Sequence, residues 1–248
     1  MSKTLILVLS GVFFCASQEI VNKNDSRIFL FSLNHSLQVP AGDLSNRFGN
    51  SSNISSCLMY KTNKDMFLSF EFGFNFGSNV KENNIFESID GNNGYLISQN
   101  GEIPTIRLFQ RGGTADISVG KFLKFNSKKN YCGFLMLFGV GYIYHKIFIE
   151  TLTIQLPQLD DELIKGYDRL SGGPMAKQFL GYLHVSKKNN IRFKIGLETI
   201  QGFTRNLRGY NYNSQSFDNE KRHDLIFGIK TGFVIPISQR TSEKYYIY

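Results

Sequence analysis

Leu225-Ile226-Phe227-Gly228-Ile229-Lys230-Thr231-Gly232-Phe233-Val234-Ile235 decides how this chain is built. Successive residues of a strand point to opposite faces. Leu225, Phe227, Ile229, Thr231, Phe233 and Ile235 therefore share one side, and Ile226, Gly228, Lys230, Gly232 and Val234 the other. One side is greasy and the other small or charged, as suits a wall between lipid and a packed polar lumen. The pattern recurs. Residues 66–76 set Met66, Leu68, Phe70, Phe72, Phe74 and Phe76 against Ser69, Glu71, Gly73 and Asn75. Residues 191–203 set Ile191, Phe193, Ile195, Leu197 and Phe203 against Arg192, Lys194, Gly196, Glu198 and Gly202.

Weaker alternation covers 31–39, 54–62, 105–123, 131–152 and 179–186, with a bulge expected at Gly112-Gly113. Together these predict an all-β fold, an eight-stranded antiparallel up-and-down transmembrane barrel. The connections support the count. Those at 62–65, 124–130 and 187–190 are short, whereas those at about 40–53, 77–104, 153–176 and 205–221 are long. Outer-membrane barrels have short periplasmic turns and longer external loops, so strict alternation predicts four external loops and both mature termini in the periplasm.

Lys3, the apolar run 5–14 and Cys15-Ala16-Ser17 ahead of Gln18 have the layout of a secretory signal peptide over 1–17. Acylation at Cys15 is disfavoured by the bulky Phe13-Phe14 ahead of it. The remaining stretch, 18–248, has the size of a single barrel domain. The whole chain's 23 Gly, 23 Phe and 12 Tyr, against 5 Pro and no Trp, fit strands with an aromatic outer wall. A mean hydropathy of −0.19 is no objection, since a barrel hides its greasy side in alternation.

The formal charge of +8 is spread over turns such as Lys128-Lys129 and Lys187-Lys188. In an exported protein that balance faces anionic lipid and lipopolysaccharide, and no nucleic-acid motif accompanies it. Cys57 and Cys132 fall on different strands at different heights, which predicts free thiols. Asn-x-Ser triplets at Asn24, Asn34, Asn50 and Asn53 are read as products of composition.

By strand parity the lumen is expected to hold Glu71, Arg107, Asp116, Arg192, Lys194, Glu198 and Lys230, a salt-bridged plug in a barrel too narrow for a wide pore. Tyr142 and Tyr144 fit an interfacial girdle, with Lys146 and Glu150 above it. In the third long loop Lys165, Tyr167, Asp168 and Arg169 lie close together, and Arg205, Arg208, Tyr210 and Tyr212 occupy the fourth. The first group reads equally as an exposed recognition patch or as a cap paired inward. The second is a cationic, aromatic surface of the kind useful at interfaces.

Gln38-Val39-Pro40-Ala41-Gly42-Asp43-Leu44, Arg47-Phe48-Gly49, Gly139-Val140-Gly141-Tyr142, Lys165-Gly166-Tyr167-Asp168-Arg169-Leu170, Gln178-Phe179-Leu180-Gly181-Tyr182 and the closing Tyr245-Tyr246-Ile247-Tyr248 together are familiar. The chain resembles a poorly characterised family of Bacteroidota outer-membrane barrels. The resemblance implies fold and location but no activity. The turn at 125–130 departs from it in lacking Pro and Gly, and the terminal aromatics sit about ten residues beyond the last clear strand.

Candidate chemistry is thin. His145, with Glu150 and Ser171 as neighbours, and His184 with Ser186 are the histidines an enzyme would need, and neither constellation is expected to be catalytic. No His or Cys pair has metal-ligand spacing, and no phosphate loop is present, so no metal or cofactor is expected. The expected function is that of a non-catalytic structural or accessory outer-membrane component. It would present its loops to an envelope protein partner or complex, by analogy secretion or assembly machinery. A barrel enzyme acting on lipid A or on outer-membrane protein, or a narrow solute channel, is the alternative.

Overall fold

The computed structural model describes residues 28–62, 64–82, 84–89, 96, 98, 101–125, 130–152, 156, 159–160, 162–186 and 192–237. The segment read as a signal peptide and the terminal aromatics lie outside them. Eight long strands, β1 (Ile28–Gly42), β2 (Ser51–Lys61), β3 (Met66–Gly77), β4 (Thr105–Lys124), β5 (Asn130–Leu152), β6 (Ser171–Ser186), β7 (Arg192–Asn206) and β10 (Lys221–Ile237), close into an antiparallel barrel in which β1 pairs with both β2 and β10. A small hairpin of β8 (Tyr210–Asn211) and β9 (Ser216–Phe217) and a one-turn helix α1 (Leu44–Arg47) stand on the end that carries the long connections. All eight expected strands are present. Most run further toward that end than their alternation announced, so the first and third long connections shrink to 43–50 and 153–170.

The paired registers fix the barrel's geometry. Ser32 faces Cys57, then Glu71, Asp116, Gly141, Met175, Gly202 and Asp224 follow as partners around the wall, and Asp224 returns to β1 at Gly42. One circuit therefore climbs about ten residues, which at a strand spacing near 4.8 Å and a rise near 3.3 Å tilts the strands by about 40°. The climb is even. An odd climb would return an inward residue to an outward position, so the dyad pattern survives closure only at even values.

Outward positions bear Leu33, Leu37, Ile54, Phe72, Val140, Leu197 and Phe233, all exposed, a continuous belt for lipid. Closure leaves no unpaired edge in hydrocarbon, where each unsatisfied backbone group costs several kcal/mol. Tyr142 and Tyr144 are exposed on the outer wall toward the long-loop end of β5, as a girdle requires.

Inside, the filling is layered. Near the short-turn end Leu30, Cys57, Met59, Phe67, Phe122, Leu135, Leu183 and Val234 form an apolar layer. At the opposite end Leu44 and Phe48 of the first loop, Ile85 and Phe86 of the second and Tyr167 of the third pack on Ile143, Ile147, Met175, Ile200 and Ile226 of the wall. The long loops thus fold over the mouth and share one apolar core with it. Polar residues lie between these layers, so the expected salt-bridged plug is the middle layer of three.

Two expectations fail together. The β3–β4 and β4–β5 registers run without interruption through Gly112 and Gly113, so no bulge exists there. Without a bulge the parity of β4 never switches. Asp116 faces in and Arg107, an odd number of residues away, faces out, exposed and opposite Glu150 of β5 rather than in the lumen.

Candidate functional site

The middle layer is built by inward positions of five strands. Glu71 comes from β3, Asp116 from β4, Lys177 from β6, Lys194 and Glu198 from β7, and Lys230 from β10. Three carboxylates face three ammonium groups, all buried. Lys177 Nζ lies 2.7 Å from Asp116 Oδ1, 3.0 Å from Glu71 Oε1 and 3.6 Å from Glu198 Oε2. Lys230 Nζ donates to Glu71 Oε1 at 2.6 Å and is ion-paired with Glu198. The carboxylates are also held by hydroxyls: Ser118 Oγ donates to Asp116 Oδ2 at 2.7 Å and Ser36 Oγ to Glu198 Oε1 at 3.1 Å. Lys194 differs, since its ammonium sits 5.7 Å from the centre of the Phe179 ring, a cation–π contact at the boundary with the apolar layer. The space enclosed here is about 10 Å³, at the threshold for one water.

Of the expected lumen residues, Glu71, Asp116, Lys194, Glu198 and Lys230 meet in this layer. Arg192 is half-buried at the short-turn end of β7, away from them. Lys177 lies outside the expected strand 179–186, because β6 runs back through Gly172-Gly173 and Pro174 to Ser171. Carrying the parity of Phe179 and Leu183 back two residues would have found it.

Above the layer His145 Nε2 donates to Asp224 Oδ2 at 2.9 Å, and Thr204 Oγ1 donates to the same oxygen at 2.5 Å. His145 is 1% exposed, with Phe48 against it edge-on at 5.7 Å. Ser171, its cross-strand neighbour, uses its hydroxyl to donate to Arg169 O at 3.1 Å and accept from Arg47 Nη1 at 2.9 Å. The histidine and the acid are therefore committed to joining β5, β7 and β10 of the wall beneath Phe48, and the serine to joining the wall to the first and third loops. Asp224 lies one residue before the stretch 225–235 whose alternation is legible, because β10 begins at Lys221. His184 lies on the outer wall, its Nδ1 3.4 Å from Cys132 Sγ, and both described cysteines are free.

The cap is tied by a second set of charges. Asp168, 3% exposed, takes Arg208 in a fork, Nε to Oδ1 at 3.1 Å and Nη2 to Oδ2 at 2.6 Å, and its Oδ1 also accepts Leu170 N–H at 3.1 Å. That fork holds the Arg208 guanidinium above its ordinary pKa. Tyr167 is buried against Phe86 and Tyr212. Glu82 bridges Arg47 Nε at 3.0 Å and Arg169 Nε at 3.2 Å. So of the two readings of 165–170 the inward-paired cap is the one formed, and within that segment Lys165 is left exposed. Arg205 is exposed at the top of β7, and Tyr210 is half-buried in the hairpin. Arg47 and Glu82 lie in loops without periodicity, where sequence offers no parity to follow. Among the described residues no group of His, Cys, Asp or Glu is placed to hold a metal ion.

A closed wall of eight strands, a lipid-facing belt and a filled, charge-balanced lumen define the fold of a small outer-membrane β-barrel. No family model and no curated protein matches the chain. Among solved structures, Ail, the attachment invasion locus protein of Yersinia pestis, aligns with a TM-score of 0.40 at 10% identity, covering 84% of this chain and 98% of that one. Neisserial surface protein A aligns with a TM-score of 0.40 at 10% identity over 84% and 96%, and OprG of Pseudomonas aeruginosa with 0.34 at 10% over 84% and 95%.

Proposed function

We infer that this protein is a non-catalytic outer-membrane component that holds a rigid surface outside the cell for an envelope protein partner. In this reading the long-loop end is external and both ends of the mature chain are periplasmic. The resemblance of the quoted motifs to a family of Bacteroidota outer-membrane barrels supports this reading. The observation that carries the reading is the β8–β9 hairpin. It is anchored on the cap by Tyr212 N–H donating to Gly166 O at 3.1 Å and by the Tyr167–Tyr212 contact, yet it leaves Phe217 77% exposed beyond the lipid belt. A large aromatic presented to water on a fixed support is what partner interfaces use as an anchor.

The enclosure of His145 and Asp224 beneath loop residues, with the nearby hydroxyls already engaged, supports this reading over a rim enzyme. The three-layer filling supports it over a channel. A photo-crosslinking residue placed at position 217 in the native membrane tests it. A discrete protein adduct, lost when the label is moved to Lys121 at the turn end, is expected; labelling of lipid alone at position 217 would defeat the reading.

A further inference from the structure

A cleft of about 580 Å³ opens among the four long loops at the mouth, within the size range of small-ligand sites. Arg47, Lys81, Arg169 and Arg222 line it, with Glu82 the one carboxylate among its lining residues. Glu82 sets its two oxygens against the Nε atoms of Arg47 and Arg169 rather than forking onto one guanidinium. Arg47 Nη1 uses Ser171 and the Arg169 carbonyl. Arg222 is clamped by Asp218 at Nη2, 2.6 Å away, while its buried Nη1 has no hydrogen-bond partner among the described residues. Even with Asp218 counted beside Glu82, four cations meet two carboxylates, and Glu220 reaches Arg222 only at 3.8 Å from an exposed position. Burial pulls the Arg47 guanidinium below its ordinary value; Glu82 opposes the fall, and Arg222 and Arg169 add to it.

Half-buried guanidiniums crowded beyond their counterions are costly unless an anion joins them, and planar forks suit the oxygens of a phosphate group. The cleft is far larger than one phosphate. Its remaining wall carries the Asn84 amide and the Asn213 amide, whose Oδ1 accepts from Ser88 N–H at 3.3 Å and whose Nδ2 is a donor suited to a hydroxyl, beside Ile85. We propose that this cleft is a binding site for a phosphorylated saccharide, the phosphate held by Arg222, Arg169 and Lys81 and the sugar by the two asparagines. Such a group is carried both by soluble sugar phosphates and by the head group of lipopolysaccharide. The site deepens the reading of the cap as a recognition surface without depending on a protein partner.

Calorimetry with the full chain in a non-ionic detergent, titrated with glucose 6-phosphate and with glucose, tests it. Saturable binding of the phosphate ester is expected, with glucose at least about tenfold weaker and the affinity falling as salt rises. Lys81→Ala and Arg222→Gln should each weaken binding about tenfold, and Lys121→Ala should leave it unchanged. Arg47 is left intact because it also holds the cap to Ser171. Repeating the titration in nanodiscs separates the sources. Competition by lipopolysaccharide in the disc assigns the head group, and an affinity equal to that in phosphatidylcholine assigns a soluble ligand. Absence of saturable binding to protein that still shows the folded-barrel gel mobility, or equal binding by both cleft variants, overturns the proposal. The crosslinking result at position 217 stands or falls separately.

Discussion

Lys230 and Lys194 occupy the same strand-paired neighbourhood, yet they stand in opposite energetic positions. Lys230 touches two carboxylates, Glu71 and Glu198. Replacing it with methionine leaves both acids with Lys177 as their remaining ionic contact, and breaking a buried pair this way costs about 3–5 kcal/mol. Lys194 has the face of Phe179 rather than an acid, so Lys194→Met removes a buried charge without orphaning another and is expected to be neutral or stabilising. Urea unfolding in lipid vesicles, followed by tyrosine fluorescence because the chain has no Trp, should therefore show a large fall in midpoint for Lys230→Met and none for Lys194→Met. Equal falls would mean that Lys194 supports the acids through space although its ammonium rests on the Phe179 ring. Parity alone placed Lys230, Lys194, Glu71, Asp116 and Glu198, because a strand facing lipid on one side must send its charges to the other. It misplaces Arg107, because a glycine pair in a strand looks like a bulge whether or not the register breaks there. Glycines at Gly112 and Gly113 instead relieve crowding: a side chain at Gly112 would strike the Tyr144 carbonyl, and one at Gly113 the Tyr144 ring.

Between elements the same chemistry becomes a matter of loops. Strand pairing is periodic and therefore legible; the cap is aperiodic, held by single contacts between segments distant in the chain, such as Arg47 with Glu82 and Asp168 with Arg208. Nothing in spacing reveals such partners. Asp168 joins the third loop to the fourth, so Asp168→Ala should raise the rate of limited proteolysis within 207–220 about tenfold while the barrel's gel mobility stays that of the folded form. An unchanged cleavage rate would show that the apolar contacts of Tyr167 suffice. Acid tests the neighbouring clamp. Burial of Asp218 opposes ionisation, but its hydrogen bond and attraction to Arg222 outweigh this and hold its carboxyl below the usual range. A group with a depressed folded pKa contributes stability above its unfolded value, near 3.9, and loses it as pH falls through the lower folded value. Pepsin should therefore leave the fourth loop intact at pH about 4 and cut it only in clearly stronger acid. In Arg222→Gln the onset of cutting should move to higher pH.

At the scale of the whole molecule, the even climb of the register joins the eight dyad patterns into one inside and one outside, and what fills the inside decides whether anything passes. Sequence displayed the charges of the lumen because they contrast with the greasy wall. It did not display the two apolar layers, because Leu135, Ile143 or Phe122 pointing inward looks the same in composition as Phe134 or Val140 pointing outward. Those layers change the expected behaviour of lumen variants. If the charged layer were the only obstruction, deleting Glu198 or Lys230 would open a path or alter its conductance. Here an ion leaving that layer meets the Leu30, Phe67, Phe122 and Leu183 layer on one side and the loop-built core on the other, and each must be crossed without water. Wild-type protein in planar bilayers should accordingly give no unitary conductance, and neither should Glu198→Ala or Lys230→Ala reconstituted in folded form. Steady single-channel steps from either variant would show that the charged layer is the sole seal and that the apolar layers open readily at either end.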